Sequence, residues 1–155
     1  MALFNFLKKQ AFEDFNNDIS SGELLQRLKN IYYNVNDLGD NCICIEDLAI
    51  NLWHEKGGCF ILESRFEIPD FMQNLSDANI ISCCNDINNQ RLLTCYFCRT
   101  DDSTRVLAFR NTEFFIRNIT EINRNAIALA DCIHSIYDEL KERYKKSENN
   151  LTMGR

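Results

Sequence analysis

Apolar residues recur at helical spacing in four stretches of the chain and at strand spacing in five. In the first stretch Phe4, Leu7, Ala11, Phe15 and Ile19 lie three and four apart, with Lys8, Lys9, Glu13 and Asp14 between them. This spacing predicts an amphipathic helix over residues 1–19. Its polar side mixes both signs, whereas membrane-surface helices favour a basic one, so it is expected to pack on the domain or on a partner. Ser20 and Glu23, three apart, have the spacing of a capping box, and Leu24, Leu25, Leu28, Ile31 and Tyr32 continue a second helix to about Asn34. Asn34 to Asn41, with Gly39 and two aspartates, reads as a loop.

From Cys42 the period changes to two and β-branched and aromatic residues become frequent. Strands are expected over Cys42–Ile45, Ala49–Glu55 and Cys59–Ile68. Lys56, Gly57 and Gly58 supply a hairpin turn, because glycine tolerates the positive φ of tight turns. Alternation puts Ile50, Leu52, Phe60, Leu62, Phe66 and Ile68 toward a core, and Asn51, Trp53, Glu55, Glu63, Arg65 and Glu67 toward solvent. Pro69 ends the third strand, since it cannot donate to a ladder. Ser76 offers an N-cap for a helix to about Asn89 carrying Ile80, Ile81, Cys84 and Ile87. Strands Arg91–Arg99 and Thr104–Asn111 follow, joined at Asp101, Asp102 and Ser103. A long helix then opens at Asn118 and runs to about Lys146 on a stripe of Ile122, Ala126, Leu129, Ile133, Ile136, Leu140 and Tyr144.

The expected fold class is α+β: an antiparallel sheet made of a three-strand meander, a helix and a two-strand hairpin, packed against a long C-terminal helix, with N-terminal helices. The organisation is an N-terminal helix over residues 1–19, one domain over residues 20–146 and a frayed polar tail over residues 147–155. A chain of 155 residues suffices for one hydrophobic core without disulfides or a metal.

Charge changes the picture more than composition does. The chain carries 23 acids against 17 bases, a formal charge of −6. Nucleic-acid binders show a basic face, so neither nucleic acid nor an anionic membrane is the expected partner. The excess is localised. Between Asn34 and Asp77 stand nine acids, Asp37, Asp40, Glu46, Asp47, Glu55, Glu63, Glu67, Asp70 and Asp77, against Lys56 and Arg65. An acidic surface serves solubility, but it also suits a basic protein partner. Trp53 on the polar face favours the partner, since Trp is enriched at binding hot spots. Trp53, Glu55, Glu63, Arg65 and Glu67 are the candidate partner-binding residues.

Catalytic, metal and cofactor chemistry find little support. Cys95 and Cys98 form a C-x-x-C pair inside a strand, where residues three apart face opposite sides. Cys42 and Cys44 share a strand face, so a zinc site with His54, Cys59 or His134 is arithmetically possible, yet no second C-x-x-C supports it. Cys83 and Cys84 are adjacent on a helix and cannot both face one partner. A Cys59–His54 nucleophile across the hairpin is conceivable without any marked oxyanion hole. The five glycines form no phosphate-binding loop. No catalytic residue, metal or cofactor is expected, and the eight cysteines read as packed, reduced thiols. Lys8 and Lys9 follow the first apolar residues, the reverse of a signal peptide, so the cytoplasm is the expected compartment.

Order and spacing over residues 20–146 resemble the type III secretion chaperone-like fold and the related YbjN-type domains. Three local features are similar as well: Phe66-Glu67-Ile68-Pro69 ending a strand before a helix, Ala78-Asn79 with Asn85 and Asn88 in a helix leading to a hairpin strand, and a closing helix rich in Ala, Ile and Leu. The resemblance implies a small, acidic, cytoplasmic, bacterial, non-enzymatic protein. Such a protein is often a homodimer and binds a client protein against its sheet and helices. An immunity protein that masks a toxin through an acidic surface is the alternative.

Overall fold

The computed structural model describes residues 19–55, 59–113, 116 and 118–152. The helix expected over residues 1–19 lies outside the described residues except for Ile19, which is buried, and so does the Lys56–Gly57–Gly58 turn. The elements in chain order are α1 (Ser21–Lys29), β1 (Val35–Gly39), β2 (Cys42–Ile45), β3 (Ile50–Glu55), β4 (Cys59–Glu67), α2 (Asp77–Gln90), β5 (Thr94–Arg99), β6 (Arg105–Glu113) and α3 (Ile119–Thr152). Short 3-10 turns stand at Glu46–Leu48 and Asp70–Met72. The six strands are ordered β1-β2-β3-β4-β6-β5, with antiparallel pairing in β1–β2, β2–β3, β3–β4 and β5–β6. The α+β class with an antiparallel sheet and a long closing helix is therefore as expected. The chain divides into two compact units, Met1–Ser64 with Asn111–Ala130, and Arg65–Arg110 with Asp131–Arg155.

In the first unit the Ser20 hydroxyl accepts the Glu23 amide at 3.3 Å and caps α1, while the Glu23 carboxylate is held by Arg27 one turn on, at 2.7 Å. Leu24 and Leu28 are buried as their spacing requires. The helix ends at Lys29, earlier than its apolar pattern suggests. Asp47 supplies the reason: its carboxylate takes the amides of Tyr33 (2.8 Å) and Asn34 (3.2 Å), which a longer helix would give to its own carbonyls. These hydrogen bonds, the Asn34 amide foremost, hold the Asp47 carboxyl below its ordinary value.

Where a loop is expected over Asn34–Asn41, the structure forms β1. It buries Val35 alone and carries a register shift between Asp37 and Gly39, so it has almost no period-two signature. Gly39 pairs with Cys42 across Asp40 and Asn41, both at positive φ (48° and 59°), as a two-residue type I′ hairpin requires. Gly39 itself stands at φ 80°. The core of this unit gathers Ile43, Ile45, Ile50, Leu52, Phe60 and Leu62 from the strands with Ile119, Ile122, Ala126 and Leu129 from α3, all buried.

In the second unit the Ser76 hydroxyl caps α2 by accepting the Asn79 amide at 3.3 Å. Asp77 in the first turn pairs with Arg99 (2.8 Å) and Arg105 (3.1 Å) from the two hairpin strands. Ile80, Cys83, Cys84 and Ile87 form the buried face of α2, and α3 contributes Ile133, Ile136 and Leu140. Ile81, expected inward with them, is exposed. The β5–β6 turn falls at Asp101–Ser103 as expected, with Ser103 at φ 67° and the Asp102 carboxylate accepting the Thr100 hydroxyl and the Thr104 amide. Strand β5 begins at Thr94 rather than Arg91, and α3 continues to Thr152, past the end expected near Lys146. None of the helices searched among the described residues is long and apolar enough to cross a membrane.

Candidate protein-binding surface

The register of the first unit fixes which side chains share a face. Cys42 lies opposite Trp53, Cys44 opposite Asn51, Trp53 opposite Ile61, and Glu55 opposite Cys59. Directly opposed residues project to the same side of a sheet, so Cys42, Cys44, Trp53, Glu55, Cys59 and Ile61 all do so here. Trp53, Cys44, Cys59 and Ile61 are half-buried there, and Glu55 is exposed. This face therefore offers an aromatic ring with aliphatic and thiol neighbours beside a carboxylate. Asn51 and the buried Glu63, opposite each other, share this side further along the strands.

Two expectations about the strand faces need correction. Glu63, read as solvent-facing, is 0% exposed, and Phe66, read as core, is 38% exposed. Leu62, Glu63 and Ser64 are consecutive and all buried, so β4 is covered on both sides at that point and alternation loses its meaning. Ser64 satisfies its hydroxyl by donating to the Ala49 carbonyl at 2.5 Å. Glu63 thus stands inside the protein, away from any partner-facing position.

Arg65 and Glu67 are exposed, two residues apart on the far end of β4. With Phe66 they line an open groove of about 490 Å³ in the second unit, completed by the β5–β6 turn (Thr100, Asp101, Asp102, Thr104) and Val106. The Phe66 ring meets Phe109 at 6.3 Å between centroids. Of the five candidate residues, the structure brings Trp53 and Glu55 onto one face, places Arg65 and Glu67 in this groove, and buries Glu63.

His54 belongs to the opposite side of the sheet from the three cysteines, paired with Phe60 rather than Cys59. Neither the Cys59–His54 pair nor a Cys42, Cys44, His54 set is brought together. Among the described residues no group of three or more His, Cys, Asp or Glu is arranged to hold a metal. Burial, then the nearby Glu55 and Glu46 charges, raise the Cys59 and Cys44 thiols above their ordinary value, which keeps them protonated. Cys95 and Cys98 lie opposite Phe109 and Val106, on opposite sides of β5 as the spacing requires.

The spacing of residues gave no hint of one contact. Ser21 at the start of α1 places its hydroxyl 2.8 Å from His54 Nε2 and donates to Asn41 Oδ1 at 3.1 Å. A hydroxyl has one proton, so with Asn41 as its acceptor Ser21 accepts from His54 Nε2–H. The three positions are far apart in sequence and share no pattern.

Burial pushes the His54 imidazole below its ordinary 6.5. A base whose folded value is depressed binds its proton more readily in the unfolded chain. Stability is therefore fully present above pH 6.5 and falls as pH drops toward the lower folded value. Denaturant midpoints should decline over this interval, before the carboxylates of Asp47 and Asp102 begin to protonate below 3.8, and His54→Gln should flatten the decline.

No protein-family model and no curated protein sequence matches the chain. Solved structures do. It is similar to YbjN from E. coli, described as a candidate transcription regulator, with a TM-score of 0.62 and 10% identity over 81% of this chain and 93% of that one. It is also similar to an uncharacterized protein from Methanothermobacter thermautotrophicus, with a TM-score of 0.55 and 9% identity over 81% of this chain and 99% of that one. At such identities the likeness is one of fold, and the fold of this chain is that of YbjN.

Proposed function

We infer that this protein is a non-enzymatic, cytoplasmic protein-binding module that holds a protein client against exposed sheet and helix surfaces. The observation that carries this reading is Trp53: a large aromatic ring left partly exposed on a strand face, opposite Ile61 and two residues from the exposed Glu55. Burying such a ring against a partner removes apolar surface from water, and the carboxylate at its edge selects for positive charge. The YbjN-like fold supports the same reading, as does the chain's net charge of −6, which disfavours nucleic acid and anionic membranes. A client binding as an extended segment would make the protein chaperone-like, with a homodimer as the expected carrier.

A second reading is that of an immunity protein, in which the acids between Asn34 and Asp77 cover a basic toxin site. Affinity capture with the full chain at low and high salt separates the two. One folded basic domain, associating fast and released by salt, identifies the immunity protein, whereas extended, weakly folded segments retained through their apolar residues identify the chaperone-like role. Recovery of nucleic acid in place of protein would overturn both.

A further inference from the structure

The two sides of the sheet in the first unit are closed to different degrees. On one side Ile43, Ile45, Ile50, Leu52, Phe60 and Leu62 are all buried. Helix α1 stands over that side, since its Ser21 meets His54, and the turn after it is tied to α3 through the Tyr32 hydroxyl and Asn123. On the other side Trp53, Cys44, Cys59 and Ile61 keep part of their surface, and Glu55 is exposed. Only this second side has apolar strand surface left to cover.

The chain ahead of α1 carries an apolar stripe of its own. Phe4, Leu7, Ala11 and Phe15 recur at helical spacing. Lys8 stands one turn after Phe4, at the edge of the stripe, where a long stem lies along an apolar contact and its ammonium reaches a rim carboxylate. The point at which this segment joins the domain is fixed. Ile19 is buried, Ser20 caps α1, and Ser21 bonds His54 and Asn41. His54 precedes Glu55 at the end of β3, Cys59 opens β4, and Asn41 precedes β2, so the segment enters at the end of the sheet where Trp53, Glu55 and Cys59 stand. A helix of about 15 residues spans about 22 Å, whereas crossing from β2 to β4 takes about 10 Å.

We propose that residues 4–18 fold back as a helix across the outer side of β2, β3 and β4, laying the Phe4–Phe15 stripe against Trp53, Cys44 and Ile61 with Lys8 or Lys9 at Glu55. The contact removes apolar surface of both elements from water and pairs the exposed carboxylate of this face with a cation. It also occupies the ring that a client would use. The segment is then a guard that a client displaces, and this guarding role rests on the reading of the Trp53 face as a protein-binding surface.

Trp53 is the only tryptophan, so its fluorescence reports this face alone. In the full-length chain, Leu7→Asp with Phe15→Asp should shift Trp53 emission to the red and steepen its quenching by acrylamide. Carbodiimide coupling of the wild type, mapped by mass spectrometry, should join Lys8 or Lys9 to Glu55 within one chain. Once a client is in hand, the double variant should bind it roughly tenfold more tightly, the gain when the open form is about a tenth of the molecules. Unchanged emission would overturn the docking, whatever the client proves to be. So would coupling of Lys8 and Lys9 to Asp37, Asp40 or Asp47 in place of Glu55, or to Glu55 of a second copy in a mixture of isotope-labelled and unlabelled chains. If the double variant fails to fold, the wild-type coupling map decides alone. Capture of no client while emission and coupling behave as expected would overturn the binding reading and the guarding role and leave the docking in place.

Discussion

Phe60→Ala is expected to destabilise the protein by about 3–5 kcal/mol, enough to unfold much of a domain whose total stability is about 5–15 kcal/mol. The ring is 2% exposed and lies opposite His54 in the register, its centroid 6.3 Å from the imidazole. Next to it along the sheet stand Leu52 and Leu62, paired with each other and both 0% exposed, so the cavity left by the ring has a packed wall that cannot collapse far. His54 would gain water on one side, and its imidazole would return toward its ordinary value. Chemical denaturation reads the loss directly, and the pH dependence between 6.5 and the folded His54 value should shrink with it. Retention of wild-type stability would mean that the β3–β4 core is not assembled in this register.

The second large effect concerns binding. Replacing Trp53 by alanine together with Glu55→Lys removes the ring and reverses the charge beside it on the same face. Loss of an aromatic anchor at the centre of an interface weakens binding by roughly 30-fold or more. Glu55 is exposed and Trp53 half-buried, so the cost in stability is smaller than for Phe60. A matched pair in the second unit, Arg65→Glu with Glu67→Lys, exchanges the charges lining the groove while leaving Phe66 in place. Comparing the two variants tells which surface the client uses.

Much of this architecture is legible in the chain because it depends on local signals. The α3 stripe from Ile122 to Leu140, the caps at Ser20 and Ser76 and the β5–β6 turn at Asp101–Ser103 all arise from residues close in sequence. Strand β1 was not legible, since one buried side chain, Val35, gives no period, although Gly39-Asp40-Asn41 is a turn sequence that could have marked its end. Glu63 misleads because alternation assumes one solvated face, and β4 is covered on both sides there. The candidate surface was half legible. Trp53 and Glu55 share a face by simple alternation, but the groove at Arg65 and Glu67 needs the β5–β6 turn brought back across some 35 residues of chain, which no periodicity encodes. The Ser21–His54–Asn41 contact was invisible for the same reason.

Whether the Trp53 face binds a protein is decided by quantitative affinity capture with the wild-type chain and the Trp53→Ala/Glu55→Lys variant side by side, after circular dichroism has shown both folded. One protein should be held at stoichiometric level by the wild type and lost from the variant. Equal retention by both, or retention of nucleic acid alone, would contradict it.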